Sequence, residues 1–126
     1  MKKLQTLMND ISQWSDSTFG VAQRNPAIVY HLKKEVNELI EALDKTYAYG
    51  VDESVGAGEF GRQIERTQYE YADCFMLLLD SASHFGLSAK HLADLSREKL
   101  EINKKRKWGK PDKNGVIEHI KGEATK

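Results

Sequence analysis

One cysteine, Cys74, stands in the 126 residues, so no internal disulfide can form and the chain fits a reducing compartment. Net charge is also absent: 19 Lys and Arg balance 19 Asp and Glu. No global field draws such a chain to a nucleic acid polymer or an anionic membrane. The basic cluster "NKKRKWGK" is local to the end of the chain. Long apolar runs are missing too. The opening "MKKLQTLMNDISQW" starts with two lysines but takes in Asn9, Asp10 and Gln13, and no signal peptide or membrane span follows. A cytoplasmic protein is the expectation. Metal and covalent chemistries are narrowed in the same way. One Cys and four scattered His give no zinc-ligand spacing. No Glu-x-x-His occurs, and a di-iron bundle would want one on each of two helices. No Ser/His/Asp or Cys/His arrangement argues for a covalent intermediate, and Cys74 reads as a core residue. Neither repeats nor low-complexity segments are present.

What the sequence does contain is helical periodicity. Hydrophobic residues make up 40% and charged residues 30%, a globular balance at the length of one domain, residues 1–126. Leu4, Leu7, Met8 and Ile11 mark a first helix, broken by "SDSTFGVAQRNP". A second is expected from about Ala27 to Lys45, followed by a loop, "YAYGVDESVGAGEFG". A third covers roughly Arg62 to His84 and stops at Gly86. Ser88 is placed to cap a fourth, reaching about Lys107. Residues 109–126 read as a short extended tail with an Asn-Gly turn signal. The expected fold is therefore all-α, a four-helix bundle.

The acidic residues of two helices raise a sharper question. In "HLKKEVNELIEAL", Ile28, Leu32, Val36, Leu39 and Leu43 form the core stripe and Glu41 falls opposite it. His31, Glu35 and Glu38 share a line at the stripe's edge. Residues three apart on a helix have Cβ atoms roughly 5–6 Å apart, so Glu35 and Glu38 can hold one cation or two neighbours. Lys33 and Lys34 would be their ordinary partners on a solvated flank. The third helix, "EYADCFMLLLDSA", is apolar nearly all round and is expected to be largely buried, yet Glu70, Asp73 and Asp80 lie along one line of it. Arg66 could pair with Glu70, and His84 with Asp80, but Asp73 is left over, and buried unpaired carboxylates are costly. Four converging carboxylates, Glu35, Glu38, Glu70 and Asp73, suit hard cations such as Mg²⁺ or Mn²⁺.

The fourth helix carries the opposite sign. Its inward stripe starts with Leu92 and Leu95 and continues as Lys99, Asn103 and Arg106, while Arg97, Glu98, Glu101, Lys104 and Lys105 lie elsewhere. This is either a helix end running into solvent or a clamp for phosphate and sugar. An acidic metal cluster with a basic clamp is what a nucleoside triphosphate with Mg²⁺ requires. Trp14 and Phe19, flanking the break before the second helix, can stack on a base or serve as core or interface residues.

These features resemble the MazG-like, all-α nucleoside triphosphate pyrophosphohydrolases. "KEVNEL" and "EYADCF" have the form of that family's two acidic motifs. The chain is most similar to the dATP/dGTP pyrophosphohydrolase branch, through "WSDSTFG", "HLKKEVNEL", "EYADCFMLLLDSA", "KLEINKKRKW" and "NGVIEHI" in that order, from Trp14 to Ile120. The resemblance implies Mg²⁺-dependent hydrolysis of a deoxynucleoside triphosphate to the monophosphate and pyrophosphate. Glu35, Glu38, Glu70 and Asp73 would be the metal ligands, Lys99, Asn103 and Arg106 would bind phosphate and sugar, and the chain would form a homodimer or homotetramer. The stretch Asp44–Gln63 looks longer than the family's usual linker, which leaves base preference open. An enzyme for dUTP, dCTP or a modified nucleotide is the alternative, and a helical dimerisation module with salt-bridged carboxylates is the non-enzymatic one.

Overall fold

The computed structural model describes residues 1–21 and 25–121. Its elements are four α-helices: α1 Lys2–Phe19, α2 Asn25–Val51, α3 Ala57–His84 and α4 Ala89–Lys105. Strand structure among the described residues is limited to one antiparallel bridge, Trp108 with His119. The fold is all-α, as the periodicity predicts. The chain divides into two compact units, Met1–Ser88 and Ala89–Lys126.

In the first unit, α2 and α3 form an antiparallel helical hairpin whose register is pinned at both ends. Near the open end, Asn25 Nδ2 donates to the Ser81 carbonyl at 3.2 Å, and Ser81 Oγ donates back to Asn25 Oδ1 at 2.7 Å. Towards the turn, the Thr46 and Thr67 hydroxyls bond at 2.8 Å and Gln63 Nε2 donates to the Ala42 carbonyl at 3.3 Å. Everything between these clamps is set face to face, including the two acidic pairs.

The linker between the helices is far shorter than expected. α2 runs past Lys45 to Val51 and α3 begins at Ala57, leaving Asp52–Gly56 outside helix. A helical glycine costs roughly 1 kcal/mol, and tertiary packing overrides that cost. A Cβ at Gly50 would lie 3.4 Å from Phe60 Cζ, so the Phe60 ring packs close over this position of α2. The turn is held by Asp52 Oδ1, which accepts from Ser54 N at 2.9 Å and Ser54 Oγ at 2.6 Å. Glu59 in the first turn of α3 complements the helix dipole.

α1 also outruns its expected end. Ser15–Phe19 of "SDSTF" are helical, and the break comes at Gly20, with φ 93°; residues 22–24 of the expected break lie outside the described residues. α3 stops as expected, in a Schellman arrangement: Leu87 N donates to Ala82 O at 3.0 Å, Gly86 N donates to Ser83 O at 3.0 Å, and Gly86 takes φ 94°.

In the second unit α4 ends at Lys105, short of Lys107, with Lys104 and Lys105 in its last turn. The tail is not simply extended. Gly109 N donates to Glu118 O at 2.9 Å and Ile120 N to Lys107 O at 2.8 Å, folding it back through the Asn114-Gly115 turn. Residues 122–126 lie outside the described residues.

One expectation about burial fails. Met8, Ile11, Ile28, Leu79 and Ala82 are buried core, but Val36, Tyr71, Phe75 and Leu78 are exposed. Within this unit α3 packs on α1 and α2, and these exposed side chains lie outside those contacts.

Candidate active site

The hairpin register brings the two acidic pairs together. Glu35, Glu38 and Glu70 each present a carboxylate oxygen within 4.8 Å of the others. Asp73 falls outside that set but adds its negative charge to both Glu35 and Glu70. Hydrogen bonding with Glu38, then burial, then the charges of Glu38, Asp73 and Glu70 raise the Glu35 carboxyl above its ordinary range. Burial is the larger cause for Glu70, also raised, followed by the charges of Glu38 and Asp73. Glu41, on the opposite side of α2, is exposed.

Salt bridges do not account for the cluster. Among the described residues its basic partner is His31, whose Nε2 lies 3.4 Å from Glu35 Oε1. Arg66 makes no ion pair with Glu70, nor do Lys33 and Lys34 with Glu35 or Glu38. Glu35 Oε2 and Glu70 Oε2 are buried with no hydrogen-bond partner. Buried carboxylate oxygens without partners are costly, and a hard divalent cation is the group such a donor set fits. Cys74, half-buried nearby, has its thiol pushed up by burial and by the same carboxylates, so it stays protonated and unreactive.

A cavity of about 170 Å³ adjoins the cluster, with Glu35, Asp73 and His31 in its wall. Ile11, Met76 and Leu77 supply apolar lining, and Trp14 and Phe19 flank it. Those two rings meet edge to face, centroids 5.5 Å apart at 86°, and both remain more than half exposed, at 55% and 53%. They are not core residues of this unit. A pocket for a drug-sized ligand usually has at least about 300 Å³, so this one is matched to a single ring system rather than a whole nucleotide.

Asp80, also in the cavity wall, is 4% exposed. His84 Nδ1 stands 3.0 Å from its Oδ1, the pairing that their spacing predicts. What the sequence left unseen is the other half of this network. Ser12 Oγ donates to Asp80 Oδ1 at 3.3 Å, and Asp16 Oδ1 takes His84 Nε2 at 2.8 Å. Both lie on α1, Asp16 in the segment read as a break. Had "SDSTF" been recognised as helical, Ser12 and Asp16 would have shared one face at i, i+4. The hydrogen bond to Asp16, then that to the Asp80 carbonyl, raises the His84 pKa.

Lys99, Asn103 and Arg106 belong to the second unit. All three are half-buried, whereas Lys104 and Lys105 are exposed, so the inward line of α4 continues into polar residues as expected. Arg106 Nη1 donates to Asn103 Oδ1 at 3.1 Å. Its Nε is buried without a partner. Trp108 Nε1 donates to the Asn103 carbonyl at 3.0 Å and closes the end of the helix.

No curated protein and no solved structure matches the chain at a level that would mark a relative. The family model described as dATP/dGTP pyrophosphohydrolase matches residues 65–126. That segment contains Glu70, Asp73 and Asp80 of the carboxylate face, together with Lys99, Asn103 and Arg106. Over residues 65–126 the chain is thus similar to the dATP/dGTP pyrophosphohydrolases, and this match supports an enzyme of the nucleotide pyrophosphohydrolase kind.

Proposed function

We propose that the enzyme hydrolyses dATP or dGTP to the monophosphate and pyrophosphate, with a divalent cation, Mg²⁺ or Mn²⁺, held by Glu35, Glu38, Glu70 and Asp73. The observation that carries this reading is the convergence of Glu35, Glu38 and Glu70 with two orphaned buried oxygens, beside a ring-sized cavity. When bound, the cation would neutralise triphosphate charge and lower the pKa of water. The chain's own residues do the rest. Trp14 and Phe19 hold the base at the cavity, and the carboxylates orient the water that attacks phosphorus as the bond to the pyrophosphate leaving group breaks. A carboxylate of the cluster accepts the proton of that water. Lys99 and Arg106 bind phosphate oxygens and Asn103 the sugar, a role supported by charge complementarity and by the family match over residues 65–126.

The same reading includes self-association into a homodimer or homotetramer in the cytoplasm. Its support is the apolar side chains left uncovered on α2 and α3, among them Val36, Ile40, Phe75 and Leu78, which a second copy of the chain could cover. No helix among the described residues is long and apolar enough to cross a membrane. Pyrophosphate release across a panel of ribo- and deoxynucleoside triphosphates, with Mg²⁺ and with chelator, tests the activity. Turnover of dATP or dGTP that vanishes on chelation is expected. Release confined to dUTP or dCTP, or indifferent to chelator, defeats the reading. Sedimentation velocity tests the assembly.

A further inference from the structure

The cavity beside the acidic cluster contains a buried group that the hydrolysis does not use. Asp80 is buried, and it lies in a wall shared with apolar residues, the two rings, His31 and two carboxylates of the acidic cluster. Its Oδ1 is occupied: Ser12 Oγ donates to it at 3.3 Å and His84 Nδ1 stands 3.0 Å away. Its Oδ2 has no hydrogen-bond partner among the described residues, nor is it among the sealed-off buried atoms. The carboxylate therefore keeps an acceptor oxygen, on a residue that lines the cavity. The side chain is also held still. His84 is fixed from the far side by Asp16, Nε2 to Oδ1 at 2.8 Å, and by the Asp80 carbonyl at 2.8 Å. A rigid, buried acceptor in a ring-sized pocket is how a site reads hydrogen-bond donors on a base edge.

We propose that Asp80 is a base-reading residue, positioned by His84, Asp16 and Ser12, and that it selects guanine over adenine. This rests on the cavity being the base site of the proposed function. An ionised carboxylate only accepts hydrogen bonds. Guanine offers two adjacent donors on its pairing edge, N1–H and the N2 amino group, and the two lone pairs of the free oxygen, Oδ2, can accept from both. Adenine offers the N6 amino group next to the N1 lone pair, which would face the carboxylate with like sign. A site built to accept from a substrate N–H strongly rejects an analogue lacking it, because the buried acceptor is left unpaired. The expected difference is roughly ten- to a hundredfold. His84 and Asp16 are positioning residues, acting through Asp80 alone.

The test is kcat/KM of the wild-type enzyme for dGTP, dITP and dATP with Mg²⁺, repeated with Asp80→Asn. Deoxyinosine triphosphate keeps N1–H but lacks the N2 amino group, so it should fall between the other two. An amide presents a donor as well as an acceptor and suits adenine, so Asp80→Asn should raise the dATP:dGTP ratio at least about tenfold. A purely structural Asp80 would lower all three substrates together and leave the ratio unchanged, which overturns the assignment. Should the variant not fold, the wild-type series decides: dATP turned over as well as dGTP also overturns it. Hydrolysis of none of the three removes the proposed function, and this inference with it, whereas hydrolysis without base discrimination removes only the role of Asp80.

Discussion

Two polar layers cross the α2–α3 hairpin, and they have opposite characters. Near the turn, Thr46, Gln63 and Thr67 form a closed network: the Thr67 hydroxyl also reaches the Gln63 carbonyl at 3.0 Å, and Thr46 Oγ1 donates to the Ala42 carbonyl at 2.8 Å. One helical stretch further on, Glu35, Glu38 and Glu70 meet with like charge, raised pKa values for Glu35 and Glu70, and two oxygens with no partner. Both layers are polar, and both are built from side chains facing each other across the same two helices. Satisfied groups mark a layer that holds the register, and unsatisfied ones mark a layer that waits for a ligand. Arg106 Nε, buried and unpartnered in the second unit, has the same signature. Ser15 Oγ shares it, but a helical hydroxyl can rotate onto a carbonyl of the preceding turn, so it says less.

The comparison breaks most decisively at Glu38. Glu38→Gln should lower turnover about a hundredfold or more, while Glu41→Gln on the other face stays within about threefold. Equal effects in steady-state kinetics would mean that the acidic layer has no special role. Arg106→Ala should cost on the order of 10²-fold in kcat/KM while the fold survives, and the exposed neighbour Lys105 should tolerate alanine. A thermal melt alongside the kinetics separates lost chemistry from lost structure.

The closed layer should behave in reverse. Thr67→Val leaves the Thr46 hydroxyl and Gln63 short of a partner and should cost roughly 1–3 kcal/mol in urea unfolding, with kcat/KM within about threefold of the parent. Loss of activity without loss of stability would place the threonine layer in the site instead. Mg²⁺ at millimolar concentration should raise the melting temperature by several degrees, since a ligand that binds only the folded state stabilises it, and Glu35→Gln with Glu70→Gln should abolish that rise. Calorimetry with the paired variant shows whether the carboxylates are the site of the effect.

The smallest effect concerns His84. Its pKa is raised above the ordinary 6.5 by Asp16 and by the Asp80 carbonyl. The pairing of the protonated ring therefore contributes fully below about pH 6.5 and fades as pH rises through the higher folded-state value. His84→Gln should then be more destabilising at about pH 6 than at about pH 9. A deficit that does not change with pH would mean that the ring is held in its neutral form.

Helical spacing, the two Glu-x-x-acid pairs and the polar continuation of α4 were all legible from the chain alone, because helical phase follows from 3.6 residues per turn whatever the partner. So was the stop at Gly86, since a left-handed cap is a local event. The helix ends around Gly20 and between Lys45 and Arg62 were misread for the converse reason. Glycines weaken a helix locally, and where Gly50, Gly58 and Gly61 nonetheless lie in helix, tertiary packing of α2 on α3 outweighs that cost. Burial was overread as well: an apolar stripe says that a face seeks cover, not that this chain supplies it, and Phe75 and Leu78 stay exposed. The meeting of Glu35 with Glu70, the ring-sized cavity, and the triad of Ser12, Asp16 and His84 around Asp80 were decided by tertiary structure. Each depends on the register between helices, which is fixed by contacts far apart in the chain, such as Asn25 with Ser81 and Thr46 with Thr67.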